Sequence, residues 1–292
     1  MKNLESISSA EVDQKEKYNF PEIESFREGL FEICEKMKAG IESNKWTKLL
    51  SDETGGRIPT LVIWNLIKHF HPDNTPQPFF LSSGLTYKPK TVGEVHEMLD
   101  FMAKIVDSED TCLLVTQFIR TGKTIKSMIS DLEMVGVKEE NIDVASVVSD
   151  YDEETLDNRI GVPKDQLYVG TGKGAFDADV EAFYPRFTGV IQDGVDYDPV
   201  PVRLTDNVKQ TGKRGKLISH EEWKNIFDIA DESFYEMKDK VSEKERITEY
   251  NKRNDKPLSA EEIRELQDNV NKAREDVSIL VKEIIQKVWG EV

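Results

Sequence analysis

The chain is poor in cysteine, and its basic residues are far outnumbered by acidic ones. Its 292 residues include 2 cysteines, Cys34 and Cys112, and neither has a neighbour at the spacing of a metal or redox motif. Both fall within apolar segments, which predicts buried thiols in a reducing compartment rather than a disulfide framework. Lysine and arginine number 39 against 56 acidic residues, a formal net charge of −17. Because this charge repels a phosphate backbone, we expect no non-specific nucleic-acid binding.

Long apolar runs are also missing from the sequence. No segment approaches the roughly 20 apolar residues that a membrane-spanning helix requires. The first residues, Met1-Lys2-Asn3-Leu4-Glu5, lack the apolar region of a signal peptide. We therefore expect a cytoplasmic protein with no membrane partner. A length of 292 residues allows one large core, or a core domain with an accessory domain.

Apolar residues are spaced in two different ways along the chain. Three- and four-residue spacing predicts helices over residues 21–38, 60–70, 92–106 and 125–135. Short apolar or β-branched runs predict strands over residues 79–81, 111–115, 142–148 and 167–169. Strands that alternate with helices indicate parallel pairing and right-handed crossovers. We predict an α/β fold with a mostly parallel central sheet flanked by helices.

The last part of the chain carries two helix-start signals. Capping boxes at residues 219–222 and 259–262 predict helices that begin near residues 221 and 260. Apolar residues between 263 and 284 follow a heptad pattern, which predicts a C-terminal α-helical hairpin packed on the core or on a second subunit. These helices are the expected surface of a homo-oligomer. The predicted organisation is a helical segment over residues 1–48, an α/β domain over 49–217 and the hairpin extension over 218–292.

The most informative motif is a turn after the strand predicted at residues 111–115. There an apolar run leads into Thr121-Gly122-Lys123-Thr124, and a predicted helix follows at once. Such a turn directs several backbone N–H groups to one point in front of a helix N-terminus, where a phosphate binds readily. Hydroxyl and ammonium groups add further donors. The predicted phosphate-binding residues are Arg120, Thr121, Gly122, Lys123 and Thr124.

This stretch is not a Walker A loop, because Gln117 stands where that motif needs glycine. It resembles the signature of type I phosphoribosyltransferases, in which an apolar strand leads to two acidic residues and then to Thr-Gly-x-Thr. A second loop, Gly55-Gly56-Arg57-Ile58-Pro59 before an apolar helix, resembles the pyrophosphate loop of that family. The resemblance covers roughly residues 50 to 170.

The resemblance implies a phosphoribosyltransferase-like fold and a small-molecule partner. The ligand would be phosphoribosyl pyrophosphate (PRPP) or a nucleoside 5′-monophosphate, and the activity phosphoribosyl transfer in nucleotide metabolism. Gly55, Gly56 and Arg57 would contact the pyrophosphate. Mg²⁺ would be the cofactor that accompanies the ligand, although the sequence identifies no set of metal ligands. Residues 87–90, which include Lys88, fall where the family has a mobile loop over the site.

The chain departs from the family pattern at the acidic pair, because Thr116 and Gln117 stand in its place. In the family that pair holds the ribose hydroxyls while positive charge develops on the ribose. Threonine and glutamine can form hydrogen bonds with hydroxyls but supply no negative charge. The candidate catalytic residues are Thr116, Gln117, Arg57 and Lys88.

Two hypotheses follow from this departure. The protein is an active phosphoribosyltransferase that takes carboxylates from elsewhere, with Asp150, Asp152 and Asp177 as candidates. Alternatively, it is a catalytically weak or inactive protein on the same fold that senses PRPP or a nucleotide. Asp110 lies on the wrong side of its strand to replace the acidic pair.

Three weaker motifs allow both a binding and a structural interpretation. The glycine-rich residues 170–174 predict a second anion-binding loop or, more simply, a flexible turn. Acidic residues between 177 and 181 have the spacing of a Mg²⁺ site, but also that of an ordinary acidic surface. His69 and His71 have no third ligand nearby, which favours surface histidines over a metal site.

Overall fold

The computed structural model of the protein describes residues 18–52, 55–81, 99–100, 102–119, 121–170, 190–192, 199–201 and 260–290. A five-stranded sheet forms the centre of the fold, with the spatial order β2-β1-β3-β4-β5 and parallel pairing throughout. Its strands are β1 (Lys48–Asp52), β2 (Pro78–Leu81), β3 (Cys112–Ile119), β4 (Ile142–Ser149) and β5 (Leu167–Val169). A separate antiparallel pair consists of β6 (Val190–Gln192) and β7 (Pro199–Pro201).

Helices connect the strands and cover the sheet. They are α1 (Pro21–Glu24), α2 (Arg27–Glu42), α3 (Arg57–Phe70), α4 (Lys123–Met134), α5 (Glu153–Ile160) and α6 (Ala260–Ile284), which continues as a π-helical turn (Ile285–Trp289). Residues 99–100 and 102–105 are also helical. Within the part of the chain that the structure describes, no helix has the length and apolar character needed to cross a membrane.

The sheet is buried on both faces, because successive residues of a strand point in opposite directions. Leu49 and Leu113 pack with α1, α2, α3 and α6 on one face. Leu50 and Leu114 pack with α4 and α5 on the other. Strands covered on both sides consist mostly of apolar residues, which is why β3 and β4 are recognisable in the sequence. The result is a three-layer α/β/α arrangement.

The predicted parallel sheet is confirmed, with several differences in detail. The helix predicted over residues 21–38 is divided into α1 and α2, and α2 continues to Glu42. At the division, the Phe26 N–H donates to the Ile23 carbonyl at 3.2 Å, three residues back rather than four. Neither β1 nor α5 was predicted. Between residues 176 and 217 the structure describes two short strands, β6 and β7.

The last helix, α6, is part of the core. The heptad positions that are buried are Val270, Ala273, Val277, Leu280 and Ile284. All of them except Val270 lie in the same apolar cluster as residues of α2 and α3, so α6 covers its own chain. The fully buried Asp276 accepts hydrogen bonds from the backbone N–H groups of Asn19 and Phe20, each at 2.8 Å. These bonds attach the segment before α1 to α6. The other predicted hairpin helix lies outside the described residues.

Candidate functional site

The strand order creates a switch point between β1 and β3. From β1 the chain passes to β2 on one side, and from β3 it passes to β4 on the other. Helix α3 follows β1 and covers one face, whereas α4 follows β3 and covers the opposite face. In such sheets a crevice opens at the carboxyl ends of the two central strands, and ligands bind there. Both predicted binding loops, residues 55–57 and 121–124, begin at this crevice.

The turn after β3 depends on the glycine at position 122. Gly122 has a φ angle of 74°, in the left-handed region that glycine adopts without steric strain. A Cβ atom built there would lie 2.5 Å from Cγ2 of Ile160, so α5 packs directly against the turn. Both constraints exclude other residues and hold the beginning of α4 at the edge of the sheet.

The first turn of α4 offers backbone donors. Its first intrahelical hydrogen bond runs from the Lys126 N–H to the Gly122 carbonyl at 2.9 Å, so the three N–H groups before it have no acceptor within the helix. One of them, on Lys123, donates to the Thr121 hydroxyl at a long 3.4 Å. The side chains of Thr121 and Lys123 are exposed, and that of Thr124 is half-buried. The turn can therefore donate to an anion from backbone, hydroxyl and ammonium groups.

The loop after β1 lies very close to β3. A Cβ atom at Gly56 would lie 2.0 Å from the Ser51 hydroxyl oxygen and 2.5 Å from the Val115 carbonyl oxygen, so only glycine fits. The next residue, Arg57, begins α3, and its guanidinium group stacks 4.1 Å from the centre of the Phe80 ring on β2. The loop thus places backbone amides and one cation at the carboxyl edge of β1.

A carboxyl group that the motifs did not include lies in the middle of this edge. Asp52 is the last residue of β1, and its side chain is hydrogen-bonded to that of Thr116 on β3. Burial raises the pKa of the Asp52 carboxyl group to about 6, although the Thr116 hydroxyl and the backbone N–H groups of Gly55 and Gly56 act in the opposite direction. Its Oδ1 atom is buried and has no hydrogen-bond partner among the described residues.

The two residues that replace the acidic pair are turned toward the protein. Thr116 and Gln117 are each only 5% exposed. Thr116 interacts with Asp52, and the side-chain oxygen of Gln117 lies 3.6 Å from the position that a Cβ atom would occupy at Gly55. The edge therefore contains a carboxylate, but it belongs to β1 instead of β3. Sequence reasoning missed it because the pairing of β1 with β3 is a long-range contact.

Of the other candidate residues, three lie outside the described part of the chain and two follow β4. Arg120, Lys88 and Asp177 lie outside the described residues. Asp150 is exposed just after β4, on the same edge of the sheet. Asp152 caps α5 by accepting a hydrogen bond from the Thr155 N–H at 2.8 Å, and this interaction lowers its pKa.

The remaining candidate side chains are buried or form contacts within the protein itself. Asp110 lies at the amino edge of the sheet, where it accepts a hydrogen bond from the Thr47 hydroxyl at 2.7 Å. His71 Nε2 lies 2.9 Å from the Ile41 carbonyl oxygen. Cys34 and Cys112 are buried free thiols whose pKa values are raised by burial. In the described ranges, no three or more His, Cys, Asp or Glu side chains are grouped so as to hold a metal ion.

Comparison with protein-family models, with curated proteins and with solved structures finds no match for this chain. A functional assignment therefore depends on the chemistry of the edge between β1 and β3. That edge combines hydrogen-bond donors at two loops, cations at Arg57 and Lys123, and a carboxyl group at Asp52. Such an arrangement suits a ligand that has both anionic and hydroxyl groups.

Proposed function

We propose that the protein binds a 5′-phosphorylated ribose compound, PRPP or a nucleoside 5′-monophosphate, at the carboxyl edge of β1 and β3. One observation carries the proposal: two loops that are distant in sequence follow neighbouring parallel strands at the switch point. A phosphate in front of α4 accepts hydrogen bonds from the free amides of its first turn and is attracted by Lys123. The ribose extends from there toward β1.

The reaction implied by the phosphoribosyltransferase resemblance is transfer of the phosphoribosyl group. In this reaction the bond between C1′ and the pyrophosphate oxygen breaks, and a bond from C1′ to the acceptor forms. Positive charge develops on the ribose, so a nearby negative group lowers the barrier. Asp52 is a carboxyl group in this region, and Arg57 is a cation in the loop that the resemblance assigns to pyrophosphate. The described residues include no group of three or more His, Cys, Asp or Glu side chains that could hold a metal ion, so the ligand's own phosphates would hold any Mg²⁺.

A second candidate function is binding without transfer. It is favoured by Thr116 and Gln117, which are uncharged and almost completely buried. Without the acidic pair, the developing charge on the ribose loses stabilisation that is worth about 3 kcal/mol or more in typical active sites. The protein would then sense the concentration of a nucleotide instead of converting it.

Binding is tested by calorimetric titration of ribose 5-phosphate, nucleoside 5′-monophosphates and PRPP. We expect Lys123→Ala to weaken binding by about tenfold, because a charge-assisted hydrogen bond to phosphate is lost. Lys126→Ala is the matched control, since Lys126 is an exposed lysine three residues further along the same helix. It should change the affinity by less than about twofold, allowing for the loss of one exposed charge. Absence of binding for every ligand at millimolar concentration would reject the proposal.

Transfer is tested separately by measuring pyrophosphate release from PRPP in the presence of free nucleobases. Turnover that is lost in Thr121→Ala identifies an enzyme. Binding without turnover identifies a sensor, and substitution of both Thr116 and Gln117 by aspartate should then increase any residual turnover.

A further inference from the structure

We propose that Asp52 determines the specificity of this site: its carboxylate takes the place of a pyrophosphate at the loop after β1. The site then accepts ribose 5-phosphate and nucleoside 5′-monophosphates, and it disfavours ribose ligands that carry a pyrophosphate at C1′. This inference rests on the proposed function and specifies its ligand class.

The first argument is the direction of the loop amides. The N–H groups of Gly55 and Gly56, which the family resemblance assigns to pyrophosphate, act on Asp52 instead: the Gly56 N–H donates to the Asp52 backbone carbonyl at 3.3 Å, and both amides lower the pKa of the Asp52 carboxyl group. The position of a Cβ atom at Gly55 is 3.0 Å from Oδ2 of Asp52, and that of a Cβ atom at Gly56 is 2.7 Å from Oδ1. The loop therefore encloses a carboxyl group of its own chain, and a second anion would have to compete for the same donors.

The second argument is electrostatic. The groups that chiefly stabilise charged Asp52 are neutral donors, namely the Thr116 hydroxyl and backbone N–H groups. From β3, the facing residues Thr116 and Gln117 carry no charge, and the guanidinium group of Arg57 is stacked on Phe80 of β2. Pyrophosphate at this loop would place further negative charge against a carboxylate. Like-charge contacts of this kind weaken binding and are a common means of rejecting the wrong ligand.

A purely structural role for Asp52 explains less. An aspartate that only caps a turn has its charged form stabilised, as at Asp152, where the hydrogen bonds of Thr155 lower the pKa. Asp52 has the opposite shift and a buried oxygen atom with no described partner. A buried acceptor without a partner is destabilising. Its position is explained if the carboxylate is needed to exclude a second anionic group.

The test is calorimetric titration of ribose 5-phosphate and PRPP at pH 7.5 with chelator present, so that no divalent cation bridges the anions. The variants are the wild type, Asp52→Asn and, as a matched control, Asp131→Asn, which changes a carboxylate on α4 whose pKa burial also raises to about 6. We expect the wild type to bind PRPP no more tightly than ribose 5-phosphate. Asp52→Asn should gain about tenfold or more for PRPP, with ribose 5-phosphate unchanged within about twofold. Asp131→Asn should behave as the wild type.

A pH series supplies a second measurement. Protonation of Asp52 removes the repulsion, so the wild-type preference for PRPP over ribose 5-phosphate should increase below about pH 6. Asp52→Asn should lack this increase, and comparison between the variants cancels the titration of the phosphates themselves. Circular dichroism checks that each variant folds. If Asp52→Asn does not fold, Asp52→Ser is measured in its place.

Two results would overturn the inference alone: wild-type preference for PRPP by tenfold or more at pH 7.5, or an unchanged preference in the Asp52 variants. A gain in PRPP affinity in Asp131→Asn equal to that in Asp52→Asn would show a general effect of lost negative charge and would also overturn it. If no phosphorylated ribose binds to any variant, the proposed function itself is rejected together with the inference.

Discussion

Two aspartates of the central sheet, one at the amino end of a strand and the other at the carboxyl end, have contrasting surroundings. At the amino end of β4, Asp143 is 2% exposed, and its Oδ2 atom is a centre of hydrogen bonding. It accepts a hydrogen bond from Trp46 Nε1 at 2.7 Å, pairs with Lys45 Nζ at 2.6 Å and lies 3.3 Å from the Tyr168 hydroxyl. At the carboxyl end of β1, the buried Oδ1 atom of Asp52 has no partner among the residues that the structure describes.

The difference separates an edge that stabilises the fold from the edge at which we propose that a ligand binds. Buried polar groups in proteins nearly always have partners, and exceptions concentrate where binding or catalysis occurs. Asp143 follows this rule. So does Asp276, whose carboxylate accepts hydrogen bonds from two backbone N–H groups of the segment before α1. Asp52 does not, and it lies where the strand order opens a crevice. The amino edge and the outer helix thus stabilise the fold, while the carboxyl edge retains unsatisfied groups.

The largest expected effect is that of Asp143→Ala. Removal of this carboxylate leaves the buried Trp46 N–H without an acceptor and Lys45 without its partner, which should lower the free energy of unfolding by about 3–5 kcal/mol. Urea denaturation measures the change. Asp165→Ala, at an exposed aspartate near the same edge, should change it by less than about 0.5 kcal/mol. Equal midpoints for the two variants would contradict the assignment of a structural edge.

Asp276→Ala should have the next largest effect. The N–H groups of Asn19 and Phe20 lose a buried acceptor, at a cost of about 2–4 kcal/mol. Hydrogen exchange should reveal faster exchange of these two amides in particular. Asp268→Ala, at an exposed position of the same helix, is the control and should leave their exchange unchanged. If both variants exchange alike, α6 does not hold the amino-terminal segment through Asp276.

The turn at the carboxyl edge is tested by a matched pair of glycines. Gly122 and Gly161 have similar φ angles, 74° and 79°, but an added Cβ atom would meet Ile160 at 2.5 Å only at Gly122. Gly161→Ala should cost about 1 kcal/mol from backbone strain alone. Gly122→Ala should cost about 2–3 kcal/mol because the clash adds to the same strain. Thermal and urea denaturation measure both, and equal losses would show that α5 does not constrain the turn.

The last of the main effects, and a stabilising one, is expected from Asp52→Asn. The folded-state pKa of Asp52, about 6, lies above its ordinary value of 3.8, so the folded protein binds the proton more tightly than the unfolded chain does. Stability from this group is therefore present at low pH and is lost as the pH rises from about 4 to about 6. Asp52→Asn should remove this loss and gain about 1–2 kcal/mol at neutral pH, after allowance for partial solvent screening.

The measurement for Asp52→Asn is urea denaturation at pH 4.5 and 7.5. Burial also raises the pKa of Asp131 on α4 to about 6, so Asp131→Asn should change the pH dependence of stability in the same direction. Unlike Asp52→Asn, it should leave ligand preference unchanged. An Asp52→Asn variant with the same pH dependence as the wild type would show that its carboxyl group is not destabilised in the fold.

Elements were predictable where burial made their composition distinctive. The strands β3 and β4 are buried along almost their whole length, and their apolar and β-branched residues reveal them. In β1 the central buried residues include Ser51, and the ends are Lys48 and Asp52, so the apolar run is too short to recognise. The polar α5 buries only Leu156 and Ile160. Short elements of mixed composition derive their stability from tertiary contacts, which local patterns do not encode.

The sequence by itself determined the parallel α/β class and the glycine-dependent turn before α4, because periodicity and turn chemistry act between residues a few positions apart. Only the tertiary structure decided that the loop after β1 faces Asp52, that Thr116 and Gln117 are buried, and that the heptad surface of α6 covers its own chain. These relations depend on which strands pair and which helix covers which face. Such choices are made by long-range burial of apolar surface, so no local pattern in the chain contains them.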